Sequence, residues 1–160
     1  MRKKTAWLSA LIFFGSPLAL AQTAAERVVA EHAWVRLNAP GTQVTGAFMT
    51  LRNASDKPVV LTAATSPAAR VCELHNHVNE GGVMKMRQIP SIALPGGGEV
   101  VLRPGGLHVM LIDLKAPLRE GETVGLRLAF ADGSSKAVEA QVRKPGASSE
   151  EHKHSESQKH

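Results

Sequence analysis

Tyrosine is absent from this chain, and aromatic residues of all kinds make up 4% of its 160 residues. Beyond residue 21 the only tryptophan is Trp34, so the ring set on which bases stack is missing. The positive charges, among them Arg52, Arg70, Lys85 and Arg119, are dispersed rather than gathered in one run. Together these exclude nucleic acid as a partner. A single cysteine, Cys72, excludes an intramolecular disulfide. No glycine-rich phosphate loop precedes a helical pattern, and no nucleophile stands with a base and an orienting acid, so the expectation is a protein that is not an enzyme. A long helical period and an internal repeat are also lacking.

Long hydrophobic runs are scarce. The one near the start, residues 7–20, is interrupted by Gly15, Ser16 and Pro17 and falls short of the ~20 apolar residues that span a bilayer. Arg2, Lys3 and Lys4 precede it and Ala19-Leu20-Ala21 closes it, so residues 1–21 read as a secretory signal that leaves Gln22 first. No cysteine follows that site, which argues against a lipid anchor; an exported, soluble product with no membrane insertion is expected. Signal removal takes away three positive charges and no acidic one, so the formal net charge falls from +5 to +2. Residues 144–160 turn to Gly, Ser, Glu, Lys and His, a composition that cannot bury enough apolar surface to fold. They read as a disordered tail whose His152, His154 and His160 offer a weak His-x-His chelate.

What remains, residues 22–143, is enough for one domain with a single core. Short apolar runs at 28–37, 46–52, 59–64, 71–78, 82–87, 98–103, 107–114, 123–130 and 136–142 read as strands. Turn formers separate them at 38–41, 53–58, 79–82, 95–98 and 104–106, with Asp132-Gly133 as a hairpin turn. Alternation is plainest in Val124, Leu126, Leu128 and Phe130 against Gly125, Arg127 and Ala129. This many short strands predicts an all-β chain folded as an antiparallel β-sandwich.

Histidine and methionine are unevenly spread over these strands. Residues 75–110 hold three of the four methionines that follow the signal and three histidines, arranged as His75/His77, Met84/Met86 and His108/Met110. Each pair is spaced i, i+2 and on a strand points one way, so the three pairs can converge. Taken singly, a methionine is more often core filler and a strand histidine a hydrogen-bonded structural group; the joint pattern reads as a coordination shell. Imidazole suits copper and zinc, whereas thioether sulfur is a soft ligand that selects Cu(I), so the mixed cluster favours copper over zinc, iron, calcium or magnesium. By the same alternation Cys72 and Leu74 face away from Glu73, His75 and His77, and Cys72 is expected to pack as a small hydrophobe.

Counting along the chain gives His75, ten residues, Met86, twenty-one residues, His108, one residue, Met110. This His-x10-Met-x21-His-x-Met spacing resembles that of the periplasmic copper chaperones of the PCuAC family. So does the surrounding text, Glu73-Leu74-His75, residues 82–87 and residues 102–111, with a likeness running from Ala33 to Val142. The resemblance implies a cupredoxin-like Greek key, a periplasmic location and a Cu(I) site of His75, Met86, His108 and Met110, with His77 and Met84 as secondary candidates placed nearby by parity. It further implies delivery of copper to respiratory oxidase assembly, through the copper subunit of cytochrome c oxidase or a thiol-containing copper assembly protein. The tail, with His152, His154 and His160 but no thioether, suits Cu(II).

Two other readings stand beside this one. Cys72-x2-His75 followed by Met84 is similar to the Cys, His and axial Met of blue-copper electron carriers. A copper-buffering or resistance protein would use the same ligands without a client.

Overall fold

The computed structural model describes residues 22–146; the signal, residues 147–160 and with them His152, His154 and His160 lie outside the described residues. The elements are α1 (Ala24–Arg27), β1 (Val28–Arg36), β2 (Val44–Asn53), β3 (Val59–Thr65), β4 (Ala69–Glu80), β5 (Val83–Gln88), β6 (Ile92–Leu94), β7 (Glu99–Leu102), β8 (His108–Leu114), β9 (Thr123–Phe130) and β10 (Ser135–Arg143). Two of these go beyond the expected set. The single-turn α1 follows Thr23-x-x-Glu26, whose carboxylate accepts from the Thr23 backbone N–H at 2.7 Å, a capping-box arrangement. The three-residue β6 buries Ile92 and Leu94 against β3.

Hydrogen bonding runs along one path, β5-β4-β8-β2-β1-β10-β9-β3-β6, with β7 added on β2. Its neighbours are mostly far apart in sequence, so the strands cross over rather than follow one another. All the ladders are antiparallel except β1 with β10, which is parallel with Trp34, Val35 and Arg36 opposite Gln141, Val142 and Arg143. The sheet is therefore mixed where a purely antiparallel one was expected, because the first and last strands meet side by side in the same direction. The two arms of the path fold over one core built from inward residues of every layer, including Leu51, Leu61, Leu74, Val109, Leu111, Leu128 and Val142. Burying a side chain of this size contributes about 1.5–3 kcal/mol.

One irregularity decides which way the outer face looks. In β1, Val28 and Val35 are both buried although seven residues apart, which strict alternation forbids. Glu31 pairs with Thr50 but Trp34 with Phe48, so one extra residue sits in β1, a β-bulge with His32 at φ 53°. The bulge restores Val35 to the core and turns Trp34 outward beside Phe48.

Candidate metal site

The register of β4 with its two neighbours makes His75 a hub. In the β4–β8 ladder His108 is directly opposite His75 and Met110 is opposite Glu73. In the β4–β5 ladder Gln88 is opposite His75 and Met86 is opposite His77. Met86 and Met110 are thus both diagonal neighbours of His75, at the roughly 7–8 Å Cα spacing that long side chains bridge. All of these residues face outward, away from Leu74, Val109 and Leu111 in the core. Ring centroids lie 5.7 Å apart for His75 and His108 and 5.4 Å apart for His77 and His108. His77 therefore stands between Met86 and His108, closer to the centre than its secondary rank suggests. Met84 is opposite Asn79 and neighbours His77 but not His75.

Hydrogen bonds set which nitrogen of each ring keeps a lone pair. His75 Nε2 lies 2.7 Å from the Glu73 carboxylate; an ionised carboxylate only accepts, so Nε2 carries the proton. That leaves Nδ1, buried and with no partner in the structure. A buried imidazole nitrogen without a partner keeps a lone pair that can coordinate a cation. His108 Nδ1 donates to the Gly106 carbonyl at 2.9 Å, which leaves its Nε2 as the acceptor. Burial pushes the His108 pKa down, with smaller contributions in the same direction from His75, His77 and Arg36, outweighing the Gly106 bond. A ligating histidine must be neutral, and His108 is held so.

The methionines answer the packing alternative. Met49 is buried and fills the core, as methionine commonly does. Met84 and Met86 are 56% and 41% exposed on β5, an edge strand whose residues are all exposed. Thioethers there stabilise no core, and exposed apolar side chains on an edge strand are a liability unless they are used. Among the described residues no group of three or more His, Cys, Asp and Glu side chains forms a metal site.

The hairpin that presents them is tied down on its other face. Arg87 contacts Glu80 twice, at 2.8 and 2.7 Å, and Lys85 reaches it at 3.1 Å. The hydrogen bonds from Arg87, then Lys85, hold the Glu80 pKa at about 2. A depressed carboxylate contributes stability above its ordinary value near 4.5 and loses it as pH falls through about 2. NMR titration of the Glu80 carboxyl is expected to show a midpoint near 2, and Arg87→Ala to return it toward 4.5; an unperturbed midpoint in the intact chain would mean that the clamp does not form.

Cys72 pairs with Leu111, on the side opposite His75, and packs against the core. Burial pushes its thiol pKa up, the reverse of what a ready thiolate ligand needs. The sequence reading placed Glu73 on the face of His75 without giving it a role, and did not include the Gly106 carbonyl or the aromatic wall beside His108. That wall is Phe48, 6.0 Å from the His108 ring, backed by Trp34 at 4.6 Å. Glu73 shares the parity of His75, so i, i+2 spacing was a usable signal for it; the other two depend on a turn and on the β1 bulge.

Residues 28–142 match the LpqE-like lipoprotein family. A protein of Leifsonia xyli subsp. xyli named as a lipoprotein is 36% identical over 130 residues, covering 81% of this chain and 77% of that protein. Of solved structures, the Cu(I) form of DR1885 from Deinococcus radiodurans superposes with a TM-score of 0.61 at 38% identity, covering 80% of this chain and 82% of that one. The copper-bound PCuAC domain of PmoF2 superposes with a TM-score of 0.65 at 25% identity, covering 79% of this chain and all of that one. The fold is the cupredoxin-like β fold of these domains.

Proposed function

The chain belongs to the LpqE-like family, the family of the PCuAC copper-binding domains, and we propose that it is a periplasmic copper chaperone. In this reading it holds Cu(I) through His75, Met86, His108 and Met110 and delivers it to respiratory oxidase assembly, either to the copper subunit itself or to a thiol-containing assembly protein. The observation that carries the reading is the pair of exposed methionines on the edge hairpin beside an imidazole whose buried Nδ1 has no partner. His77 and Met84 are secondary ligands.

Each ligand has a distinct role. His75, oriented by Glu73, and His108, oriented by Gly106, give two fixed nitrogens. The thioethers carry no proton, prefer the reduced ion and lie on mobile side chains that an incoming sulfur donor can displace one at a time. Copper is cargo, and no reaction is run on it. No helix among the described residues is long and apolar enough to cross a membrane. His152, His154 and His160 supply imidazoles without thioethers and so an auxiliary Cu(II) site in the tail.

Titration decides the core of this. One Cu(I) equivalent should bind in competition with a chelator, and cutting the chain after Lys144 should remove a Cu(II) event while leaving that Cu(I) equivalent. Unchanged Cu(II) stoichiometry and affinity on truncation would deny the tail any role. In the cell, loss of oxidase activity on deletion, rescued by added copper, supports delivery; copper sensitivity with normal oxidase supports buffering instead. The electron-carrier alternative needs Cys72 as a ligand. A Cys72→Ala variant should keep full Cu(I) affinity and lose no more than about 1 kcal/mol of stability, the scale of deleting a small group that is only partly buried. Loss of the metal in that variant would revive it.

A further inference from the structure

Past Met110 the outer face carries features that coordination does not use. One pleat further along the strands, Val71 of β4 and Val44 of β2 both pair with Ile112 of β8, so three β-branched side chains form a row facing water. Val44 is 42% and Val71 46% exposed. An antiparallel strand normally turns polar residues to its wet side; here the apolar row is continuous with Met110.

Beside it stand two arginines. Arg36 of β1 and Arg143 of β10 are register partners in the parallel ladder and share a face. Like charges directly opposite each other destabilise a sheet. Yet neither makes an ion pair or a side-chain hydrogen bond with any described residue. Arg36 lies over the Phe48 ring at 5.5 Å with its Nε buried and without a partner. The pair calls for an anion from elsewhere.

Resting on the chaperone reading, we infer that this face docks the copper acceptor, and that the acceptor is a protein surface with an apolar centre and an acidic rim. An apolar core with a polar rim is the anatomy of a transient interface, and arginine and tryptophan are the residue types that dominate such contacts. Complementary charge steers the encounter and fixes orientation. An acceptor seated on the valine row meets Met110 before the imidazoles. Its sulfur donor replaces the Met110 sulfur first, copper stays Cu(I), and Met86 on the far side holds the ion until the exchange is complete.

The test uses the full mature chain loaded with Cu(I) and, as acceptor, the copper-free soluble copper-centre domain of a cytochrome oxidase subunit, with transfer rates followed across ionic strength. Arg143→Glu should leave Cu(I) affinity unchanged and slow transfer roughly tenfold at low salt, the difference closing at high salt. Val44→Ser with Val71→Ser should leave affinity unchanged and slow transfer roughly tenfold at every salt concentration. Transfer by both variants at the unaltered rate overturns the docking face. So does loss of Cu(I) affinity in either, which would make these residues part of the coordination site. Loss of the salt dependence on removing residues 147–160 also overturns it, assigning the arginines to the chain's own Glu150, Glu151 and Glu156. Failure of the unaltered chain to bind Cu(I) sinks the chaperone reading itself, and the docking face with it.

Discussion

A Met86→Ala, Met110→Ala double variant is expected to bind Cu(I) roughly a hundredfold more weakly than the unaltered chain, on about 1.4 kcal/mol for each lost sulfur. Both methionines are diagonal neighbours of His75, on opposite ends of the imidazole pair, so removing both takes the two adjacent thioethers away from the imidazoles. Two imidazoles still suit Cu(II), so affinity for the oxidised ion should fall far less and the preference between oxidation states should shift. Because the sulfurs share one ion, the two single losses need not add, and the double variant is the decisive measurement. Competition against a Cu(I) chelator reads it. An unchanged Cu(I) affinity would remove Met86 and Met110 from the site.

Leu111→Ala attacks the same strand from its other side and should cost about 2–5 kcal/mol. Leu111 is fully buried between Cys72 of β4 and Thr45 of β2, one residue beyond Met110 and facing inward. The residual cavity would lie directly beneath the site. For a domain of this size the melting temperature of the copper-free protein should drop on the order of 10 °C in thermal unfolding. Saturating Cu(I) should recover part of the loss, since a ligand at about 100 times its dissociation constant adds about 2.7 kcal/mol. The two variants are complementary. The double methionine variant should melt near the normal temperature without copper and gain little from it, whereas Leu111→Ala should melt low and gain. A Leu111→Ala protein that melts normally would mean that β8 is not packed as described.

The local period of a strand was legible; the partners of that strand were not. Each i, i+2 pair of His and Met shares a face because alternation is a property of one segment, which is why the six residues could be grouped from spacing alone. That His75 is the hub, with His108 opposite and both thioethers diagonal, depends on ladder register, which for β4 with β8 joins segments more than thirty residues apart and for β4 with β5 turns on where the hairpin at residues 81–82 closes. The parallel meeting of β1 with β10 has the same origin, since nothing in either strand names the other. β6 was too short and too closely bracketed by Pro90 and Pro95 to register as a strand. For α1, one turn generates no period, and its Thr23-x-x-Glu26 cap emerges only with the structure. The bulge at His32 lacks a glycine to mark it, and the outward turn of Trp34 and Arg36 was hidden with it.

That bulge makes β1 a strand written in two frames. Upstream of His32 the even-numbered Val28 looks inward; downstream it is the odd-numbered Val35 that does. If the bulge closed with the residue count unchanged, the downstream half would slip by one partner and shift by half a pleat. The indole of Trp34 and the guanidinium of Arg36 would swing toward the core while Val35 went to water. Such a slip would not merely loosen the strand. It would strip the wall from beside His108 and the charge from beside Met110 in one stroke, although no displaced residue is a ligand. Deleting one of the two residues between Glu31 and Trp34 would, by contrast, remove the bulge and keep Trp34 opposite Phe48 and Val35 inward, because regular alternation then joins the two frames.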